Sequence, residues 1–134
     1  MGRPVSRNEE GMTLIEVMIA MAIAFIMFLG LAEGTRLAVM YNVRNALRDE
    51  AVGVGEMQIS RVREVPYDNL VAMASPMPAP YSGNVTRSFR GMTATFPVTA
   101  THNNIGSNME QVMITVTCNR DSKINHAFTT IVRQ

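Results

Sequence analysis

Residues 11–32, GMTLIEVMIAMAIAFIMFLGLA, decide the fold of this chain. From Met12 to Ala32 the stretch carries a single charged residue, Glu16, among Met, Leu, Ile, Val, Ala and Phe side chains. As a helix it would be about 31 Å long, which is enough to cross the hydrocarbon core of a bilayer. Lipid offers no partner for free backbone N–H and C=O groups, so helix is the expected form. The sequence therefore predicts a membrane-spanning helix near the N-terminus.

Glu16 is the unusual residue of this stretch. A carboxylate within an apolar span costs about 2.5–3.5 kcal/mol on insertion scales, so a plain anchor has no reason to carry one. Two explanations fit its position. Glu16 either lies at the headgroup boundary and is solvated there, or it has a positively charged partner. The spacing alone leaves both explanations open.

Residues 11–17, GMTLIEV, resemble the prepilin cleavage motif of type IV pilins and type II secretion pseudopilins. In that family a Gly precedes Phe or Met, then Thr-Leu-Ile-Glu and a long apolar run. The resemblance implies that a membrane-embedded prepilin peptidase cuts between Gly11 and Met12 and then N-methylates Met12. It also implies that Glu16 is attracted to the N-terminal amine of a neighbouring subunit during assembly. That amine would supply the cationic partner that a carboxylate in a low dielectric requires.

With this resemblance, the patterns along the chain predict an α+β pilin fold. A long N-terminal helix, membrane-spanning in its first half and amphipathic in its second, would pack on a small C-terminal antiparallel sheet. The predicted segments are a leader at 1–11, a transmembrane and filament-core helix at 12–34, an amphipathic helix half at 35–65, a Pro-rich connecting loop at 66–84 and the sheet of a periplasmic head at 85–134.

The amphipathic half of the helix is identified by an apolar stripe at spacings of three and four residues. Its members are Met40, Val43, Leu47, Ala51 and Val54. Pro66 disfavours helix at the residue before it and is expected to end the helix. Glycines interrupt the pattern. Gly53 and Gly55 mark a candidate bend, while Gly30 and Gly34 either permit close helix packing or weaken the helix where it leaves the lipid.

Alternation at period two predicts the strands of the head. The inward positions are Ala94, Phe96, Val98 and Ala100 in one strand and Val112, Ile114, Val116 and Cys118 in the next. A turn at 119–123 leads to a further strand at 124–132. Pro97 has no N–H to donate, so it predicts an edge strand or a bent one. The apolar face of this sheet is expected to pack on the stripe that runs from Met40 to Val54.

Composition and motifs argue against catalysis. The 134 residues carry a formal net charge of +1, which is too balanced to predict nucleic-acid binding. His102 and His126 lack the spacing of metal ligands, and no phosphate-binding loop is present. Cys118, the single cysteine, cannot form an intrachain disulfide and is interpreted as a small buried hydrophobe rather than a nucleophile. We expect no catalytic residues, no cofactor and no metal.

The predicted function is that of a structural subunit. The helix end at residues 56–70, Glu-x-x-Ile…Val-Arg…Pro-Tyr-Asp-x-Leu, is similar to PilV-type minor pilins and I-type pseudopilins. The resemblance implies a single-pass inner-membrane protein with a periplasmic head, later drawn into a type IV pilus or a secretion pseudopilus. Its implied partners are the prepilin peptidase and methylase, other pilin or pseudopilin subunits, the inner-membrane assembly platform and membrane lipid. The alternative is an uncleaved single-pass membrane protein whose head binds a ligand or partner; a secreted enzyme is a third candidate.

Overall fold

The computed structural model describes residues 13–134 of the chain. Its elements, in chain order, are α1 (Leu14–Arg63), α2 (Tyr67–Val71), β1 (Gly83–Phe89), β2 (Met92–Gly106), β3 (Met109–Thr117) and β4 (Asn125–Arg133). The four strands form one antiparallel sheet in the order β1-β2-β3-β4. The chain divides between Tyr41 and Asn42 into two compact units, called here the N-terminal unit and the head.

Helix α1 extends over 50 residues from Leu14 to Arg63. No proline lies between Pro4 and Pro66, so every residue of α1 can donate its backbone N–H to the helix. The helix ends three residues before Pro66, as the sequence predicts. It continues through all four glycines that the sequence marks as weak points, at 30, 34, 53 and 55.

In the head, α1 buries one stripe of side chains against the sheet. Leu47, Ala51, Val54, Gly55, Gln58 and Val62 are its buried residues. The buried stripe thus lies further along the helix than the sequence predicts, and Met40 is not part of it. Met40 is 59% exposed and belongs to the N-terminal unit. The α+β prediction itself is confirmed, and the arrangement is consistent with the pilin fold.

The inner face of the sheet completes the core. The alternation predicted from the sequence is confirmed, since Ala94, Phe96, Val98 and Ala100 on β2 are buried together with Val112, Ile114 and Val116 on β3 and Cys118 just beyond it. The opposite face carries many threonines: Thr99 lies opposite Thr115, and Thr86 opposite Thr95. One face therefore contacts α1 and the other is polar, as expected for a two-layer α+β domain.

Of the two alternatives predicted for the segment that contains Pro97, an edge strand or a bent one, the edge strand is wrong. β2 is an inner strand, paired with β1 on one side and β3 on the other. Pro97 is tolerated there because it lies opposite Asn84, the second residue of β1, and one residue before the β2–β3 pairing begins at Val98 and Val116. A missing N–H at the end of a ladder leaves the remaining hydrogen bonds intact.

Turn residues define the register of the first hairpin. Phe89 pairs with Met92, so the connection consists of Arg90 and Gly91 alone. Both have positive φ, 47° and 74°, as a two-residue hairpin turn of the mirror-image type requires. β1 was not predicted as a separate strand.

The segment between α1 and the sheet is partly ordered by hydrogen bonds to β2. Within the predicted connecting loop, residues 67–71 form α2 and β1 begins at Gly83. Between them, the Met77 N–H donates to the carbonyl of Ala100 at 2.7 Å, and the Ala100 N–H donates to the Ser82 hydroxyl at 2.9 Å. The β1–β2 pairing ends at Val98, so this segment takes over the edge of β2 that β1 leaves unpaired.

Candidate functional site at the start of the membrane helix

Thr13 and Glu16 form a reciprocal set of hydrogen bonds at the start of α1. The Thr13 backbone N–H and hydroxyl both donate to Oε2 of Glu16, each at 2.8 Å. In return, the Glu16 backbone N–H approaches the Thr13 hydroxyl oxygen at 3.4 Å. Thr13 is the N-cap residue and Glu16 the third helical residue, so the pair is a capping box.

The capping box explains how a charge is accommodated at this end of an apolar helix. The first N–H groups of a helix have no partner within it, and they carry partial positive charge. The Glu16 carboxylate lies beside them and accepts from Thr13. The Thr-x-x-Glu spacing before an apolar run is a sequence signal for such a cap, although it was not identified from the sequence.

One carboxylate oxygen of Glu16 takes no part in the capping box. Both bonds from Thr13 use Oε2, and Oε1 has no hydrogen bond to any residue of 13–134. A carboxylate has acceptor sites on both oxygens, so the capping geometry leaves room for a second donor. Gly11 and Met12, the predicted cleavage and methylation residues, lie outside the described residues. The predicted roles of these two residues and of Glu16 in assembly therefore stay predictions.

Between Leu14 and Leu31, α1 presents apolar side chains on all sides. Those exposed between Leu14 and Leu31 are Leu14, Ile15, Val17, Met18, Ile19, Met21, Ile23, Phe25, Ile26, Met27, Phe28, Leu29 and Leu31. Within residues 13–134, α1 is the one helix long and apolar enough to cross a membrane by length and composition. A helix that is apolar all round needs lipid or other helices around it.

Cys118, His102 and His126 lie at different places in or next to the sheet of the head. Cys118 is buried as a free thiol at the end of β3. His102 lies on β2 and His126 on β4, and no cluster of three or more His, Cys, Asp or Glu side chains occurs in residues 13–134. His102 does have a carboxylate neighbour, Glu110, which was not identified from the sequence.

Arg44 links α1 to the turn between β3 and β4. Its Nε donates to Oδ2 of Asp121 at 2.6 Å, and the Lys123 backbone N–H donates to Oδ1 of the same carboxylate at 3.0 Å. The hydrogen bond from Arg44, followed by that from Lys123, holds the pKa of Asp121 below its usual value. The pair fixes the turn at 119–123, which the sequence predicts correctly as a turn, onto the helix.

Comparison with known protein families gives one match. The family described as the prokaryotic N-terminal methylation motif matches residues 6–32. Comparisons of the chain with curated proteins and with solved structures find no match. The matched residues cover the stretch that resembles the prepilin motif and leave the head unmatched. The chain thus carries a type IV pilin-like N-terminal methylation motif, and the helix that begins within this motif can serve as a membrane anchor.

Proposed function

We propose that this chain is a minor pilin or pseudopilin, a structural subunit that is cleaved, N-methylated and assembled into a thin filament. The observation that carries the proposal is that two features occur in the same part of the chain. The methylation motif at 6–32 leads into a helix whose apolar side chains are exposed on every side. Such a surface is stable in a bilayer and equally in a bundle of similar helices, which is what the core of a pilin filament provides.

The processing step acts at the junction of leader and helix. In this proposal, a prepilin peptidase hydrolyses the peptide bond between Gly11 and Met12 at the cytoplasmic face, and the new amine of Met12 is methylated. The leader, residues 1–11, is released. The apolar helix remains in the mature protein, unlike a secretory signal peptide, whose cleavage site follows the apolar segment. The C-terminal head lies in the periplasm.

The assembly step uses Glu16. In a lone subunit the charged carboxylate is stabilised by its hydrogen bonds from Thr13. In the filament, Oε1 would accept from the methylated, positively charged amine of Met12 of a neighbouring subunit. An opposite charge in a low dielectric attracts strongly and fixes the axial register between helices. The cap orients the carboxylate towards the N-terminal end of α1, which is where such an amine would approach.

The finer classification rests on the end of α1. The segment through Pro66, Tyr67 and Asp68 is the ground for placing the chain with PilV-type minor pilins or I-type pseudopilins rather than with major subunits. The further partners in this proposal are the inner-membrane assembly platform and membrane lipid.

Intact mass measurement tests the processing step. The full chain is expressed with and without an active prepilin peptidase, and purified from the membrane. We expect a species that begins at Met12 and is one methyl group heavier than the unmodified mature chain, only when the peptidase is active. Gly11→Val should block cleavage, while the matched Gly2→Val in the same leader should not. Retention of residues 1–11 under all conditions would instead support an uncleaved single-pass protein.

A further inference from the structure

His102 lies between two hydrogen-bond acceptors in the head. Its Nε2 is 3.1 Å from the backbone carbonyl oxygen of Met73, and its Nδ1 is 3.3 Å from Oε2 of Glu110. The side chains of His102 and Glu110 are only 12% and 4% exposed. The other carboxylate oxygen of Glu110 accepts from the Asn104 amide at 3.1 Å. Each polar atom of this group therefore has a partner.

The chemistry of these partners determines how many protons the His102–Glu110 pair holds. A carbonyl oxygen only accepts, and an ionised carboxylate only accepts. A neutral imidazole has a single N–H and can donate to one of the two, which leaves the other contact as an unfavourable approach of two acceptors. Both contacts are made when one further proton is present, either on the imidazole or on the carboxyl group. The geometry thus fits a His102–Glu110 pair that holds one proton more than imidazole and carboxylate alone.

We propose that His102 and Glu110 form a proton-dependent latch that fastens the connecting segment, residues 72–82, to the sheet. With the proton bound, His102 holds Met73 and the segment is closed. When the proton leaves, the ring keeps one of its two hydrogen bonds, and the contact to Met73 competes with the contact to Glu110.

The position of Met73 explains why the latch controls the segment. Downstream of it, the segment is held to β2 by the hydrogen bond from Met77 to Ala100 and by that from Ala100 to Ser82. Upstream of it lies α2, which ends at Val71. His102 is two residues beyond Ala100 on the same strand, so it supplies the next attachment along the edge of β2 that β1 leaves unpaired. The loss of this attachment frees the first half of the segment.

Other charged groups at this end of the head lie on or next to the helices and on β4, where Arg133 pairs with Met109, the neighbour of Glu110. Arg63 of α1 donates to the Thr130 hydroxyl at 3.3 Å, and Thr130 lies in the same cross-strand row as His102, through Val112. Arg61 of α1 and Glu64, just beyond the end of α1, line a surface cavity of about 450 Å³ together with Met73. Asp68 lies on α2. Within the described chain, His102 bonds to none of them.

A single substitution distinguishes the effect of the proton on the latch from the effect of side-chain packing. Glu110→Gln keeps the shape and replaces the carboxylate by an amide that can donate. In this variant a neutral His102 can donate from Nε2 to Met73 and accept at Nδ1 from the new amide nitrogen at position 110, while Asn104 still donates to the amide oxygen. All contacts of the latch are retained without the additional proton. The variant should fold, and its connecting segment should no longer respond to pH.

The test is hydrogen exchange of the full chain in detergent micelles, corrected for the intrinsic pH dependence of exchange. In the wild type, protection of the Met77 amide should fall by about tenfold between about pH 5.5 and pH 8.5, the change expected for one charge-assisted hydrogen bond. In Glu110→Gln it should stay constant. His126→Gln, which changes the histidine outside the latch, should behave as the wild type.

A second readout needs no variant. Imidazole nitrogen chemical shifts, followed from about pH 5.5 to pH 8.5, should show that the His102–Glu110 pair loses one proton in the same transition as amide protection. Equal protection at both pH values in the wild type would overturn the latch. So would a pH response that persists unchanged in Glu110→Gln, because the transition would then belong to another group.

Discussion

Phe128 of β4 lies directly against the backbone of α1 at Gly55, so closely that a Cβ atom at residue 55 would overlap its ring. Gly55 is buried, and α1 continues through it without interruption. Its role is therefore to let the sheet approach the helix. From the sequence, the same glycine is interpreted as a candidate bend. A helix pattern indicates that a glycine weakens the helix, but it does not indicate what packs against that glycine.

Gly55→Ala should destabilise the head by about 1–3 kcal/mol, since the new methyl group must displace the Phe128 ring from a packed core. The measurement is urea unfolding of the full chain in detergent, followed by circular dichroism. Gly53→Ala is the matched control: a Cβ there has nothing within 4 Å, so the higher helix propensity of Ala should stabilise by about 0.5–1 kcal/mol. Equal effects at the two positions would contradict the close approach.

The pair Arg44–Asp121 should make stability depend on pH in the acid range. Because the pKa of Asp121 is lowered in the folded state, its contribution is complete above the ordinary carboxyl pKa of about 3.9 and is lost as the pH falls through the folded-state value. The difference in melting temperature between wild type and Asp121→Asn should therefore be largest near neutral pH and vanish in strong acid. Asp49→Asn, on the exposed side of α1, should show no such trend. A constant difference for Asp121→Asn across this range would refute the assignment.

Gln58 is a polar side chain inside the apolar stripe of α1. It is 1% exposed, and its Oε1 has no hydrogen-bond partner among residues 13–134. An apolar side chain of similar length removes the unpaired acceptor, so Gln58→Met should raise the free energy of unfolding by about 1 kcal/mol. Gln58→Glu, which places a charge at the same site, should lower it. Urea unfolding measures both, and a loss of stability in Gln58→Met would show that the amide has a stabilising partner.

Local sequence patterns predicted most of the fold, but they did not predict the contacts between residues that are distant in the sequence. The inward alternation from Ala94 to Ala100 is a property of neighbouring residues, and it predicted the buried face of β2 correctly. The edge strand predicted from Pro97 was wrong because an inner strand can contain this proline only near the place where its pairing with β1 ends. The sequence of β2 does not show where that is. The same holds for the pair His102 and Glu110, which meet only because a hairpin with its turn at 107–108 sets their register.

The start of α1 differs from these cases, since its capping pattern involves only neighbouring residues and was still not identified from the sequence. Thr13 and Glu16 have the spacing of a capping box, and that spacing could have been identified from the sequence. The cost of a charge in lipid indicates a partner outside the helix, whereas the spacing indicates one within it. The two roles are compatible, because capping uses Oε2 and leaves Oε1 available.

Substitutions at Glu16 can separate capping from assembly. Glu16→Gln retains a capping side chain but loses the charge, whereas Glu16→Ala loses both. If the carboxylate attracts the Met12 amine of a neighbour, both variants should insert into the membrane normally and both should be excluded from filaments. Thr13→Val is the matched control, since it weakens the cap by about 1 kcal/mol and retains the charge; it should still be incorporated. The measurement is the fraction of each variant in sheared filaments relative to the membrane pool. Normal incorporation of Glu16→Gln, together with loss in Thr13→Val, would show that the residue acts through the helix cap and not through its charge.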